Sequence, residues 1–260
     1  MSKSWLAPKK SLGQHFLHDP NTIRKIVAAL EAPADAPVVE IGPGTGALTG
    51  ILAETYGDFT AIEVDQRAVA ELRDRFPDMD VRHQDVLDLD WEALFREKGR
   101  PLWVVGNLPY YITSPILFSL IAARARIARA VCMMQLEVAE RIVAPHGSKT
   151  YGGLSVQCQL LSRPKLLFRV SRNVFFPKPD VESAVVAFDF IGTEELPVPE
   201  EALRLVVRTA FNQRRKMLRN SLRGLFANDD VEMPEEFADR RPEALPPQAF
   251  VELTRLLQTG

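Results

Sequence analysis

A short apolar run followed by three evenly spaced glycines constrains the fold of this chain more than any other feature. Residues Val38–Ile41 are mostly β-branched and predict a buried strand, and Gly42, Gly44 and Gly46 follow at alternate positions. Because glycine lacks a Cβ, such a turn can lie close against a ligand, and the helix behind it presents unpaired N–H groups. The spacing differs from the Gly-x-Gly-x-x-Gly of dinucleotide-binding folds. An ordinary strand-to-helix turn is the alternative interpretation.

Strands and helices alternate along the rest of the first 190 residues. Further strands are predicted at residues 59–65, 79–83, 102–105, 130–134, 165–170 and 184–190. The alternation favours an α/β fold with a doubly wound, mostly parallel sheet, in which ligands bind beyond the carboxyl ends of the strands. Ahead of the glycine turn, Asp19 is predicted to cap a helix whose buried face holds Ile23, Ile26, Val27 and Leu30.

The pattern changes near residue 191. Residues 194–200 are rich in proline and glutamate and predict a linker, and the remainder favours helices interrupted by prolines. We therefore expect an α/β domain over residues 1–192 and a small all-α domain over residues 193–260.

Basic residues are concentrated in the predicted helical domain, although the net charge of the chain is only −2. The segment 203–223 has no acidic residue and holds Arg204, Arg208, Arg214, Arg215, Lys216, Arg219 and Arg223. Such a block favours binding to the phosphates of RNA or DNA. A basic helix face that pairs with acids elsewhere in the chain is the alternative.

Composition excludes several other classes of protein. No apolar run reaches the roughly 18 residues of a membrane span, and the first ten residues lack the apolar core of a secretion signal. Cys132 and Cys158 both lie in apolar segments, which indicates buried, reduced thiols. The four histidines show no spacing typical of a metal site. We expect a cytoplasmic protein without a disulfide, a membrane segment or a metal.

Carboxylates stand at the ends of the next two predicted strands. Glu63 could accept hydrogen bonds from both hydroxyls of a ribose. Asp85 could accept one from the amine of an adenine, with the Val86 N–H reaching a ring nitrogen. A solvent-facing carboxylate at Glu63 and an ordinary turn at Asp85 are the alternatives. Together with the glycine turn, these positions mark three successive strand ends.

Two motifs resemble those of S-adenosylmethionine (SAM)-dependent amino-group methyltransferases with a Rossmann-like class I fold. The glycine turn, with Glu40 two residues before it, resembles their SAM loop, and Asn107-Leu108-Pro109-Tyr110 resembles their catalytic motif. An aromatic amine is a poor nucleophile because its lone pair is delocalised. The resemblance implies that the Asn107 side-chain oxygen and the Leu108 carbonyl accept its hydrogens, while Tyr110 stacks on the base. An ordinary strand-to-loop turn is the alternative.

Three further stretches narrow the resemblance to the ribosomal RNA adenine N6-dimethyltransferases. Residues 13–17 resemble a Gly-Gln-Asn-Phe-Leu segment that closes over SAM, with His15 in place of the usual Asn. Residues 175–183 match Phe-x-Pro-x-Pro-x-Val-x-Ser, which implies that Phe175 stacks on the flipped adenine opposite Tyr110; a core role for Phe175 is the alternative. Residues 211–222 resemble a signature of the small-subunit enzymes. Tyr111 stands where Asn is frequent.

The resemblance implies an enzyme that uses SAM to dimethylate N6 of two adjacent adenosines near the 3′ end of small-subunit rRNA. It also implies that the enzyme is a monomer, that it acts on a ribosomal particle, and that it takes part in biogenesis of the small subunit. The implied catalytic residues are Asn107, Leu108, Tyr110 and Phe175. The implied cofactor-binding residues are Gln14, His15, Leu17, Glu40, Gly42, Gly44, Gly46, Glu63, Asp85, Val86 and Asn107. The implied RNA-binding residues are Arg208, Arg214, Arg215, Lys216, Arg219 and Arg223.

Three other functions stay open at this point. The first is a large-subunit rRNA adenine dimethyltransferase that confers macrolide resistance, against which the 211–222 signature and the long helical tail argue. The second is a non-catalytic ribosome-assembly or RNA-binding factor, against which the intact Gly42, Glu63, Asp85, Asn107 and Tyr110 argue. The third is a glutamine or DNA amino methyltransferase, which typically carries Pro at the position of Leu108.

Overall fold

The computed structural model describes residues 6–9, 12–190, 196–226 and 232–259, so part of the predicted linker, Glu194 and Glu195, lies outside the described residues. The chain divides into a sheet unit, residues 1–139 and 164–192, and a helical unit, residues 140–163 and 193–260. The predicted domains meet at the same point, between residues 192 and 193. Residues 140–163, predicted within the first domain, group instead with the helices.

The sheet unit is an α/β structure built on a seven-stranded sheet. Its strands are β1 (Phe16–Leu17), β2 (Val38–Ile41), β3 (Phe59–Glu63), β4 (Asp80–His83), β5 (Leu102–Asn107), β6 (Ile127–Gln135), β7 (Ser162–Val170), β8 (Phe175–Phe176) and β9 (Ser183–Phe190). The strand order is β4-β3-β2-β5-β6-β9-β7, and β1 pairs separately with β8. Strands β2 to β6 are parallel to their neighbours, whereas β9 is antiparallel to β6. The predicted mixed, doubly wound sheet is confirmed.

Helices connect these strands. They are α1 (Pro20–Leu30), α2 (Thr49–Thr55), α3 (Gln66–Arg75), α4 (Trp91–Lys98), α5 (Thr113–Ala122) and α6 (Leu136–Ile142). The predicted start of α1 is confirmed, because the Asp19 carboxylate accepts a hydrogen bond from the Thr22 N–H at 2.7 Å. Its predicted apolar face is buried as well. The α1 face packs into the main hydrophobic core, which also contains β2, β3 and β9 residues.

The register of β2 against β5 positions the site. Ile41 pairs with Gly106, so Asn107 stands level with the glycine turn that follows β2. A Cβ at Gly106 would lie 2.6 Å from the Ile41 carbonyl oxygen. Only glycine fits that approach without moving the backbone. The carboxyl ends of β2, β3, β4 and β5 therefore lie side by side at one edge of the sheet.

The helical unit has its own core. Its helices are α7 (Gly153–Leu161), α8 (Glu200–Asn212), α9 (Leu218–Ser221), α10 (Glu235–Ala238) and α11 (Pro247–Thr259). The Phe211 ring centroid lies 5.9 Å from that of Tyr151 and 5.6 Å from that of Phe250. This aromatic contact explains why residues 140–163 group with the helices. No strand occurs among the described residues from 196 onward.

Both cysteines are buried and free, Cys132 in the sheet unit and Cys158 in the helical unit. Burial raises the pKa of each thiol to about 12, which makes both groups unreactive. The predicted buried, reduced thiols are confirmed. Within the described ranges, no cluster of three or more His, Cys, Asp and Glu side chains could hold a metal ion. None of the described helices is both long and apolar enough to cross a membrane.

Candidate active site

A cavity of about 220 Å³ opens at the carboxyl edge of the sheet. Four strand ends and residues 12–17, which include β1, line it. The predicted site residues on its wall are Gln14, His15, Leu17, Glu40, Gly42, Gly44, Glu63, Asp85, Val86, Asn107, Leu108 and Tyr110. Among the predicted catalytic and cofactor-binding residues, Gly46 and Phe175 are not part of its lining. The structure thus brings together most of the residues that the sequence placed at separate strand ends.

The glycine turn packs against β1. Gly44 has a φ of +55°, a conformation that residues other than glycine rarely adopt. A Cβ at this position would lie 3.1 Å from the Phe16 ring. The absence of side chains therefore lets the turn and the N-terminal segment approach each other across the cavity.

Glu63 is held by the backbone of its surroundings. Its two carboxylate oxygens accept hydrogen bonds from the N–H groups of Gly44, at 3.0 Å, and Asp65, at 2.8 Å. Burial raises the pKa of Glu63 above its ordinary value, although these two donors act in the opposite direction. Each carboxylate oxygen has a second lone pair, so the fixed carboxylate can still accept hydrogen bonds from a ligand.

Glu40 is buried beneath the glycine turn, with 1% of its surface exposed. One carboxyl oxygen accepts a hydrogen bond from the Thr49 hydroxyl at 2.7 Å. Burial, with a smaller contribution from the charge of Glu63, raises the pKa of Glu40 to about 8. The side chain is therefore mostly protonated at neutral pH.

Asp85 and Val86 form the wall at the end of β4. The Asp85 carboxylate accepts a hydrogen bond from the Leu87 N–H at 2.9 Å and so caps a short 3₁₀ turn at Val86–Asp88. This cap fixes the loop that carries both predicted adenine contacts. Val86 is buried, whereas Asp85 is partly accessible.

The Asn107 to Tyr110 segment is fixed at several atoms. The Asn107 amide nitrogen donates to the His15 carbonyl oxygen at 3.1 Å, which leaves the amide oxygen as the acceptor for a ligand. The Leu108 N–H donates to the Met133 carbonyl oxygen at 2.9 Å. The Tyr110 hydroxyl lies 2.7 Å from the Ser183 hydroxyl, which holds the ring in position.

Residues 12–17, which include β1, form a strap across the cavity. The His15 Nδ1 donates to the Pro177 carbonyl oxygen at 2.7 Å, and the His15 ring stacks on Tyr110 with 5.6 Å between ring centroids. Strand β1 then pairs antiparallel with β8, with Phe16 opposite Phe176. The strap therefore contacts both the glycine turn and the segment that carries the Phe-x-Pro-x-Pro motif.

Asp65 is a site residue that the sequence analysis missed. It is 2% exposed, and its carboxylate accepts hydrogen bonds from Gln14 Nε2 at 3.1 Å and from Lys9 Nζ at 3.4 Å. Arg67 binds the same carboxylate, with 2.6 Å between Nη2 and Oδ2, and its other terminal nitrogen donates to the Ala7 carbonyl. These hydrogen bonds, chiefly that of Arg67, hold the pKa of Asp65 far below its ordinary range. The aspartate therefore ties the N-terminal segment to the end of β3.

The two adjacent phenylalanines of β8 have opposite environments. Phe175 is 3% exposed and belongs to the hydrophobic core, together with Leu17 and Val185. Phe176 is 54% exposed. The core role that the sequence left open for Phe175 describes its position here, and its stacking on a base stays a prediction.

The basic segment spans the end of α8, a turn and α9. Arg214 lies 3.7 Å from Glu243, and Arg219 lies 2.5 Å from Asp239. The remaining predicted RNA-binding residues, Arg208, Arg215, Lys216 and Arg223, are exposed, and no ion pair involves them within the described part of the chain. Pairing with local acids thus accounts for only part of this positive charge.

Comparisons with known proteins agree on one group of relatives. The chain matches the family described as "Ribosomal RNA adenine dimethylase" over residues 6–254. It is 54% identical over 251 residues to the ribosomal RNA small subunit methyltransferase A of Salinibacter ruber, an alignment that covers 96% of this chain and 85% of that relative. A solved dimethyladenosine transferase from Plasmodium falciparum aligns with a TM-score of 0.78 at 25% identity, over 92% of this chain and 96% of the other. The 23S rRNA methyltransferase ErmE aligns with a TM-score of 0.69 at 26% identity, over 94% and 99%.

Proposed function

The chain belongs to the ribosomal RNA adenine dimethylase family, and we propose that it methylates N6 of adenosine in small-subunit rRNA, with SAM as the methyl donor. The product is N6,N6-dimethyladenosine at two adjacent adenosines near the 3′ end. The observation that carries this proposal is the cavity that joins the glycine turn and Glu63 to Asn107 and Tyr110. A cofactor site and an amine-positioning motif thereby share one space.

The residues of the cavity suit SAM. Gly44 leaves room where a Cβ would meet the Phe16 ring, and the backbone holds the Glu63 carboxylate in place for ribose hydroxyls. Asp85 and the Val86 N–H would contact the adenine, and Gln14, His15 and Leu17 would cover the bound molecule from the strap. When bound, SAM supplies an electrophilic methyl group on a positively charged sulfur.

Catalysis then depends on how the chain holds the target amine. The Asn107 amide oxygen and the Leu108 carbonyl accept the two amine hydrogens, which draws the nitrogen toward a tetrahedral geometry and restores its lone pair for attack. The His15 carbonyl fixes the Asn107 amide in the required orientation. Tyr110, held by Ser183, stacks on the base. The methylated amine loses its extra proton to water, so positioning is the main contribution of the protein.

The helical unit would supply contacts to the RNA backbone. Arg208, Arg215, Lys216 and Arg223 are exposed cations, and phosphate contacts of this kind recognise the shape of an RNA rather than its sequence. The 211–222 signature and the name of the Salinibacter relative both favour the small subunit over the large one. The expected assembly is one protein chain on one ribosomal particle, in the cytoplasm.

The experiment that tests this function counts methyl groups. Small ribosomal subunits that lack the modification are incubated with the purified protein and tritiated SAM, and the modified positions are mapped by primer extension. We expect about four methyl groups per particle, two on each of two neighbouring adenosines, and none on large subunits. Labelling of large subunits alone would assign the protein to the 23S branch, which the alignment with ErmE makes the second candidate.

A matched variant tests the mechanism in the same assay. Asn107→Ala removes one acceptor of the amine hydrogens, so methyl transfer should fall to background while binding of the particle is retained. Asp74→Asn, a change at an exposed position of α3 in the same unit, serves as the control for handling and folding. Transfer by Asn107→Ala at the control rate would refute the role of the Asn107 oxygen.

A further inference from the structure

Two aromatic side chains stand out by their exposure. In the described ranges, Tyr111 and Phe176 are the exposed members of the Tyr, Phe and Trp residues, with 57% and 54% of their surfaces accessible. Each directly follows a residue predicted to hold the target base, namely Tyr110 and Phe175. Each ring therefore presents more than half of its surface to solvent beside a residue that is predicted to bind the target base.

Tyr111 is held at the rim of the cavity by the strap. It lines the cavity, and a Cβ on Gly13 would lie 3.1 Å from its ring. The adjacent Tyr110 is anchored through Ser183, so the backbone beside Tyr111 has little freedom. One part of the Tyr111 ring thus packs on the strap, and more than half of its surface remains accessible.

Phe176 is fixed on the other side of the strap. Its backbone pairs with Phe16 in the β1–β8 ladder, and the next residue, Pro177, accepts the hydrogen bond from His15. Lys178, two residues further on, is an exposed cation. Exposed aromatic rings and cationic side chains are the groups that single-stranded nucleic acid binds, through base stacking and phosphate contact.

We propose that Tyr111 and Phe176 are stacking platforms for the nucleotides that flank the adenosine being methylated. The proposal rests on the function proposed above. When one of two adjacent adenosines leaves the stack to enter the cavity, its neighbours lose a stacking partner, and an exposed aromatic ring can replace it. The ligand class is therefore a purine of single-stranded RNA, bound outside the cavity, and Lys178 contacts its phosphate.

The test compares the Michaelis constant for the RNA substrate with the affinity for SAM. Tyr111→Leu and Phe176→Leu keep apolar bulk but remove the π face, whereas Tyr111→Phe and Phe176→Tyr keep it. With undermethylated small subunits as substrate, we expect each Leu variant to raise KM by about fivefold or more, the change that corresponds to stacking of one base. The aromatic variants should keep the wild-type KM.

Four measurements separate this role from a structural one. Calorimetric titration with SAM should give the wild-type Kd for all four variants, and thermal melting should show that they fold. Leu205→Ala, a truncation of an exposed apolar side chain in the helical unit, should leave KM unchanged. The RNA should also be tested with an abasic nucleotide on either side of the target, where the difference between the Leu variants and wild type should disappear.

The outcomes distinguish this inference from the function on which it rests. An unchanged KM in both Leu variants would overturn the stacking role, provided that the wild-type protein methylates the particles. A loss of SAM affinity that accounts for the whole rise in KM would also overturn it. The two rings would then affect KM by positioning the strap over SAM, and not by stacking on RNA. If the wild-type protein methylates no ribosomal subunit, the proposed function itself fails.

Discussion

Replacement of Glu40 by glutamine should stabilise the ligand-free protein in a pH-dependent way. Glu40 is 1% exposed, and burial raises its pKa from the ordinary value of 4.5 to about 8. Glutamine has nearly the same shape and can accept the hydrogen bond that the Thr49 hydroxyl donates. The substitution therefore removes the titration of the site while keeping its packing.

The sign and size of the effect follow from linkage between protonation and folding. Below pH 4.5 the carboxyl is protonated in both states and has no effect on the pH dependence of stability. Above that pH the unfolded chain releases the proton while the folded chain retains it until about pH 8, so the folded state loses about 1.4 kcal/mol for each pH unit. At pH 7 the accumulated cost is about 3 kcal/mol, which Glu40→Gln should recover.

Urea unfolding followed by tryptophan fluorescence is the suitable assay. Trp91 and Trp103 belong to the sheet unit, and the described part of the helical unit contains no tryptophan, so the signal reports the unit that contains Glu40. The unfolding free energy of Glu40→Gln relative to wild type should rise from about pH 5 to about pH 8. Glu54→Gln, at an exposed position of α2, serves as the matched control substitution. A difference between Glu40→Gln and wild type that is the same at both pH values would refute the reasoning.

Three further predictions concern other parts of the molecule. Asp65→Asn should weaken SAM binding by about tenfold in calorimetry, because the N-terminal segment loses its charged anchor; an unchanged Kd would contradict this. Gly106→Ala should lower the free energy of unfolding by about 1–3 kcal/mol in urea titrations, since its Cβ would meet the Ile41 carbonyl. The double change of Arg215 and Lys216 to Ala should reduce the slope of log affinity for RNA against log salt by about 1.5, and an unaltered slope would exclude phosphate contacts there.

The sequence predicted the sheet and the strand-end residues because both depend on local patterns. The β-branched run at Val38–Ile41 has few alternatives to a buried strand, and all four of its residues are buried. In a parallel sheet the ends of neighbouring strands share an edge, so Glu63, Asp85 and Asn107 were expected to converge, and they line one cavity. The cap at Asp19 was predictable for the same local reason.

Contacts between distant parts of the chain were not predictable in this way. Asp65 resembles an ordinary helix cap in sequence, and its contacts with Lys9 and Gln14 arise only when the N-terminal segment folds back across more than 50 residues. The opposite environments of Phe175 and Phe176 follow from the pairing of β8 with β1, a ladder of two residues each. Neither feature leaves a periodic signal, because periodicity reports burial and not the identity of the partner.

The pKa values of the three carboxyl groups on and after β2 and β3 are shifted in different directions, and the structure shows the cause of each shift. Glu40 has one hydroxyl donor and deep burial, so its proton is retained. Asp65 is also nearly inaccessible to solvent, but it is bound by the Arg67 guanidinium, so its charge is retained instead. Glu63 lies between these cases, with two backbone donors opposing its burial. Burial is thus the main cause of the raised pKa of Glu40 and Glu63, whereas the Arg67 guanidinium keeps Asp65 negative beside the strap.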